Sequence, residues 1–140
     1  MIVQNEIKYG IKEISMMNGK GWYQPEPELI WARKNAELLI PVSNINNAAS
    51  MSIILKGQMF ISNAKEQSLS IYCKDKKINE YKVNDNNIYD YSFTVDVDKN
   101  MEYIPLKLEA GYEEQPKNTG ESLDDRLLAF GIREIVIKRN

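Results

Sequence analysis

The amino-acid sequence predicts an all-β chain folded as a two-layer antiparallel β-sandwich. Three observations carry that expectation. Apolar residues recur with a period of two in a series of short stretches, which puts one apolar and one wetter face on each. The stretches are rich in β-branched and aromatic residues, the types that suit a pleated surface. Asn, Asp, Gly and Lys separate them, and helical patterning is scarce, which points to a sandwich or barrel and not to alternating helix and strand.

The elements follow in order. Leu38, Ile40 and Val42 alternate with Glu37, Leu39 and Pro41. Met51, Ile53 and Leu55 are interleaved with Ser52, Ile54 and Lys56. Leu69, Ile71 and Cys73 alternate with Ser70, Tyr72 and Lys74. Lys74-Asp75-Lys76-Lys77 then reads as a tight hairpin into a strand over Ile78–Val83. Asn84-Asp85-Asn86-Asn87 is a turn, because Asn and Asp tolerate left-handed backbone and bond to their own main chain. Tyr91, Phe93, Val95 and Val97 mark the next strand, Tyr89–Val97, which Asp98-Lys99-Asn100 ends. Ile104, Leu106, Leu108 and Ala110 alternate with Tyr103, Pro105, Lys107 and Glu109, and a final strand covers Ile132 to Lys138. Two stretches read as loops: Gly19 to Ile30, with two prolines, and the long Gly111 to Arg126. Loops of the second length are more often functional than accidental. Ser122-Leu123-Asp124-Asp125 fits a helix-cap pattern and predicts one short helical turn.

The chain has 140 residues, the common size of one domain, and one domain over residues 1–140 is the economical expectation. A net charge of −2 gives no basic face for nucleic acid. One cysteine, Cys73, rules out an internal disulfide. Its place in an alternating apolar run reads as a buried thiol. The first residues lack the pattern of a signal peptide, and no run approaches the roughly 18 apolar residues of a membrane span, so a cytoplasmic protein is the expectation. There is no histidine. That removes Ser-His-Asp and Cys-His arrangements and the usual zinc and iron ligand sets. No glycine pattern forms a phosphate loop. No metal, cofactor or catalytic set is expected, and the chain reads as a non-enzyme.

Two clusters are candidates for recognition. The first is Trp22, Tyr23 and Trp31 with Glu26 and Arg33. Indole and phenol rings stack on the apolar faces of sugars, and charged groups bond the hydroxyls. The competing reading is that the tryptophans close one end of the core. The second is Asp124-Asp125-Arg126. It reads either as a polar ligand site or as an internal salt bridge fastening the long loop, since carboxylates commonly meet an arginine fork. A catalytic carboxylate pair needs a defined separation across a cleft, which sequence does not supply. Glu113-Glu114 reads as solvated loop.

The same residues carry a resemblance. Gly21-Trp22, Pro25-Glu26, Trp31 and Ala36-Glu37-Leu38-Leu39-Ile40-Pro41 form an opening, and Pro116, Gly120-Glu121-Ser122 and Asp124-Asp125-Arg126-Leu127-Leu128-Ala129-Phe130-Gly131-Ile132 form an ending. Together they resemble the β-sandwich accessory domain found beside bacterial glycosyltransferases that build capsular and O-antigen polysaccharides. The resemblance spans roughly Gly21 to Ile137, although no glycosyltransferase domain is attached. It implies a jelly-roll-like fold like that of carbohydrate-binding modules and a cytoplasmic context in surface polysaccharide assembly, where a glycan ligand and a glycosyltransferase partner are the candidates. It implies Trp22, Glu26, Trp31, Asp124, Asp125 and Arg126 as the residues to follow. The alternative is a structural or partner-docking sandwich with no sugar ligand.

Overall fold

The computed structural model describes residues 5–42, 49–98, 100–119 and 123–140. Two antiparallel sheets face each other, giving a jelly-roll-like β-sandwich. The strands are β1 (Glu6–Tyr9), β2 (Ile30–Ala32), β3 (Asn35–Pro41), β4 (Ser50–Met59), β5 (Gln67–Cys73), β6 (Lys76–Val83), β7 (Ile88–Asp96), β8 (Tyr103–Ala110) and β9 (Phe130–Arg139). The larger sheet has the order β1-β9-β4-β7, with β2 also paired to β9; the smaller is β3-β8-β5-β6.

The period-two stretches become strands because their apolar halves meet between the sheets. Met51, Ile53 and Leu55 of β4 lie beside Ile135 and Ile137 of β9 and Phe93 and Val95 of β7, all buried. Leu38 and Ile40 of β3, Ile104, Leu106 and Leu108 of β8, and Leu69 and Ile71 of β5 supply the opposing layer. Each such side chain contributes roughly 1.5–3 kcal/mol on leaving water. Cys73 is buried in this layer, and burial pushes its thiol up.

β9 breaks the alternation, and the register shows how. Gly57 pairs with Ile132 and Lys56 with Glu134, so Arg133 has no partner. The extra residue is a β-bulge. It keeps both Ile132 and Ile135 facing the core although three positions separate them.

The β5–β6 turn is shorter than its four-residue reading. Cys73 pairs with Lys76, so only Lys74 and Asp75 turn, with φ of 51° and 64°. Two successive left-handed residues make the hairpin turn whose twist matches the flanking strands.

Three elements were not expected. β1 is only four residues long and joins β9. β2 emerges at the end of the stretch read as loop. A short helix, α1 (Ile11–Met17), buries Ile14 and Met17 and packs against β9 and β3. Its start is satisfied by Glu13, whose carboxylate accepts a bond from the Gly10 N–H at 3.3 Å. In the long loop a 3₁₀ turn covers Pro116–Thr119. The turn expected at Ser122–Asp125 begins at Ser122, outside the described residues. Among the described residues no helix is long and apolar enough to cross a membrane.

Candidate functional site

The two indoles do not share a platform. Trp22 donates its Nε1–H to the Glu37 carbonyl at 2.8 Å and packs edge-on against buried Phe130, with ring centroids 5.8 Å apart. It closes one end of the core. Trp31 sits on β2 between buried Ile30 and Ala32, so alternation sends its side chain to the outer face of the larger sheet. There it meets Phe60 edge-on and lies over Gly131, where an added Cβ would come within 3.2 Å of its ring. Arg33 turns to Glu113, donating from Nη2 at 2.8 Å and Nε at 3.2 Å. Glu113 is therefore an anchored group and not the solvated residue expected. It also accepts the Lys34 N–H at 2.8 Å, and the Arg33 bond holds its carboxyl below the usual range.

Tyr23, Glu26, Asp124 and Arg126 do converge. Arg126 donates Nη2 to Asp124 at 2.7 Å and Nη1 to Glu26 at 3.2 Å, and its guanidinium lies 5.4 Å from the Tyr23 ring centre. The Tyr23 hydroxyl donates to the Leu127 carbonyl at 2.9 Å and accepts the Leu127 N–H at 3.1 Å. Asp125 is exposed beside this cluster, and its carbonyl accepts a bond from Gln115 Nε2 at 2.7 Å. The arrangement ties the long loop to the Gly21–Leu29 segment. Its charges answer one another, so it presents less to a ligand than its residue types suggested.

Arg126 holds the Asp124 carboxyl below the usual carboxylate range. A depressed folded-state pKa adds stability above the unfolded value near 3.9, and that stability is lost as pH falls through the lower folded value. Asp124→Asn is therefore expected to be less stable than the parent at pH 7, with the gap closing on acidification toward pH 2. Urea midpoints at the two pH values check this, and a gap independent of pH would refute it.

A different surface has the shape of a ligand site: the solvent face of the smaller sheet. Register places Pro41 beside Tyr103, Leu39 beside Pro105, Glu37 beside Lys107 and Asn35 beside Glu109, with Tyr72 on the far side of Lys107. Leu39 and Tyr103 are each 52% exposed. The outward positions of an exposed sheet are normally polar, so this apolar row has no packing reason. Hollows of about 270 and 520 Å³ lie over it. Both are bounded by Glu37, Tyr72, Asp75 and Lys107, and the larger also by Lys20 and Glu109. Lys107 Nζ stands 3.9 Å from Asp75, with both side chains largely solvated. The rings of Tyr72 and Tyr103 and the charged groups between them can stack on and hydrogen-bond a polar ring.

Sequence reasoning missed this groove. A signal was present: Leu38-Leu39-Ile40-Pro41 and Tyr103-Ile104-Pro105-Leu106 are apolar on both parities, although only one face meets the other sheet. Among the described residues no group of three or more acidic or cysteine side chains is placed to hold a metal ion.

The class of fold follows from these sheets: it is the β-sandwich seen in carbohydrate-binding modules. One similar structure is the CBM36-1 domain of a multidomain xylanase from the hindgut metagenome of Trinervitermes trinervoides, with TM-score 0.52 and 9% identity over 97% of this chain and 98% of that one. Another is the C-terminal CBM6 of the laminarinase LamC from Zobellia galactanivorans, with TM-score 0.50 and 12% identity over 96% of this chain and all of that one, 100%. Latent PorU from Porphyromonas gingivalis also contains the fold, with TM-score 0.55 and 7% identity over 99% of this chain but 13% of that one. No family model matches the sequence, and no curated protein matches it.

Proposed function

We propose that this chain is a non-catalytic sugar-binding module that receives a glycan along the outer face of its smaller sheet. The observation that carries the reading is half-buried Tyr72 set among Glu37, Asp75 and Lys107 on the outward face, where it lines both hollows. Tyr72 stacks on a sugar face, and the charged groups bond hydroxyls. The fold shared with CBM36 and CBM6 domains supports it. Titration calorimetry against a panel of bacterial and plant oligosaccharides tests it. Tyr72→Ala and Lys107→Ala are each expected to weaken binding about tenfold, equivalent to about 1.4 kcal/mol. Wild-type affinity in both variants would move the site elsewhere.

A second reading places sugar contact at Tyr23, Glu26, Asp124 and Arg126, because the fold brings those four together. Trp22, Trp31, Arg33 and Asp125 lie outside that contact set. Arg126→Ala with intact groove binding would reject it. We propose further, on the sequence resemblance alone, that the module works in the cytoplasm beside a glycosyltransferase of surface polysaccharide assembly. Co-purification of such an enzyme with the tagged chain from its source tests that pairing, and its absence from the purified material would count against it.

A further inference from the structure

The sugar-binding groove continues into a hollow of another character. Beyond Leu39, toward α1, a space of about 470 Å³ is walled by Tyr9, Met16, Met17, Leu39, Pro41 and Tyr103, with Glu13 and Asn18 as its polar members. It shares Gly19 and Leu39 with the neighbouring hollow, which differs in carrying Glu37, Lys74, Asp75 and Lys107. Met16 is 80% exposed, and with Leu39 and Tyr103 it gathers three exposed large apolar side chains at one place. Polar groups on this wall are few. The Tyr9 hydroxyl is engaged, donating to the Pro41 carbonyl at 3.0 Å, and the Glu13 carboxylate caps α1 by accepting from the Gly10 N–H.

The two halves ask for different chemistry. Sugar hydroxyls seated against Met16 and Leu39 would give up water without gaining partners, which is costly. An alkyl chain loses nothing there and removes apolar surface from water on both sides. The polar half, with Glu37, Lys107 and Asp75, has the opposite preference. Register sets the two in line along β3 and β8, from Pro41 and Tyr103 to Asn35 and Glu109. Six residues of strand at about 3.4 Å each give a track of roughly 20 Å.

We infer that the ligand is a glycan carrying an alkyl chain, the chemistry of a glycolipid, with its sugar over Tyr72 and Lys107 and its chain against Met16, Leu39 and Tyr103. This rests on the sugar-binding reading of the same face and specifies which end of the ligand lies where. A methylene fully taken from water is worth about fourfold in affinity. Half-burial in an open hollow halves that free energy, leaving about twofold for each.

The test uses methyl and hexyl glycosides of glucose, galactose and mannose, titrated into the full chain and followed by NMR. The hexyl form of the sugar that binds is expected to be at least tenfold tighter than its methyl form. It is expected to shift the Met16 methyl and Tyr103 ring signals, which the methyl form leaves in place. Met16→Ser, at an exposed position outside the sugar hollow, is expected to remove part of the gain and leave methyl glycoside binding unchanged. Equal affinity of the two forms would overturn the inference and leave sugar binding standing. Hexan-1-ol binding as tightly as the hexyl glycoside would also overturn it, because the sugar would then contribute nothing. Failure of every glycoside to bind would overturn the sugar reading and this inference with it.

Discussion

Gly21→Ala is expected to destabilise the fold by about 3–5 kcal/mol or to prevent its recovery as soluble protein. The residue lies at φ +95°, a region L side chains rarely enter, and an added Cβ would stand 2.0 Å from the Asn35 carbonyl oxygen and 2.8 Å from the Ala36 Cα. Both obstacles are backbone, so no rotamer change relieves them. The close approach is used on either side. The Gly21 carbonyl accepts the Arg33 N–H at 2.8 Å, and the preceding Lys20 carbonyl accepts the Glu37 N–H at 3.0 Å. Residues 19–21 thereby cover the open edge of β3, which would otherwise offer unpaired backbone groups to another chain. Chemical denaturation measures the effect. A loss below 1 kcal/mol would mean the loop relaxes freely and the edge is not held this way.

Phe130→Ala is the second large effect, about 3–5 kcal/mol. Phe130 is 2% exposed at the start of β9 and pairs with Met59 on one side and Ala32 on the other. Its ring also supports the edge of Trp22. Truncation leaves a cavity that neither sheet can collapse into, because β2 and β4 hold β9 from both sides. Trp22 then loses its partner, and tryptophan fluorescence is expected to shift to the red along with the lower urea midpoint. Unchanged emission would show that Trp22 is fixed by its Glu37 bond alone.

What sequence reading recovered, and what it did not, has a consistent physical cause. The inner rows of β3, β4, β5, β7 and β8 were legible because water enforces the pattern: alternate apolar residues face the other sheet. β1 and β2 were too short for a period to show. In α1 the burial of Ile14 and Met17 comes from neighbours on β3 and β9 distant in sequence, so nothing local announced it. Of the candidate residues, Tyr23 and Glu26 were read in one cluster and Asp124 and Arg126 in another, because the pairing that joins them spans 100 positions from Glu26 to Arg126. Trp31 is turned to the outer face of the larger sheet by alternation along β2, whereas Trp22, bridged to Ala32, packs on buried Phe130. Leu39, Tyr72 and Tyr103 were visible as wet-face residues. That they form one row depends on β8 lying between β3 and β5, and strand order is not written in periodicity.

β9, the last strand in sequence, lies inside the larger sheet, with β1 and β2 along one side and β4 along the other. The smaller sheet is complete once β8 has docked, whereas the larger lacks its middle until residues 130–139 arrive. The larger sheet therefore joins strands from the two ends of the described chain, and its β1–β9 and β2–β9 pairings span about a hundred residues or more. Closures this remote in sequence slow folding toward milliseconds or seconds and lengthen the interval in which partly built molecules can stick to one another.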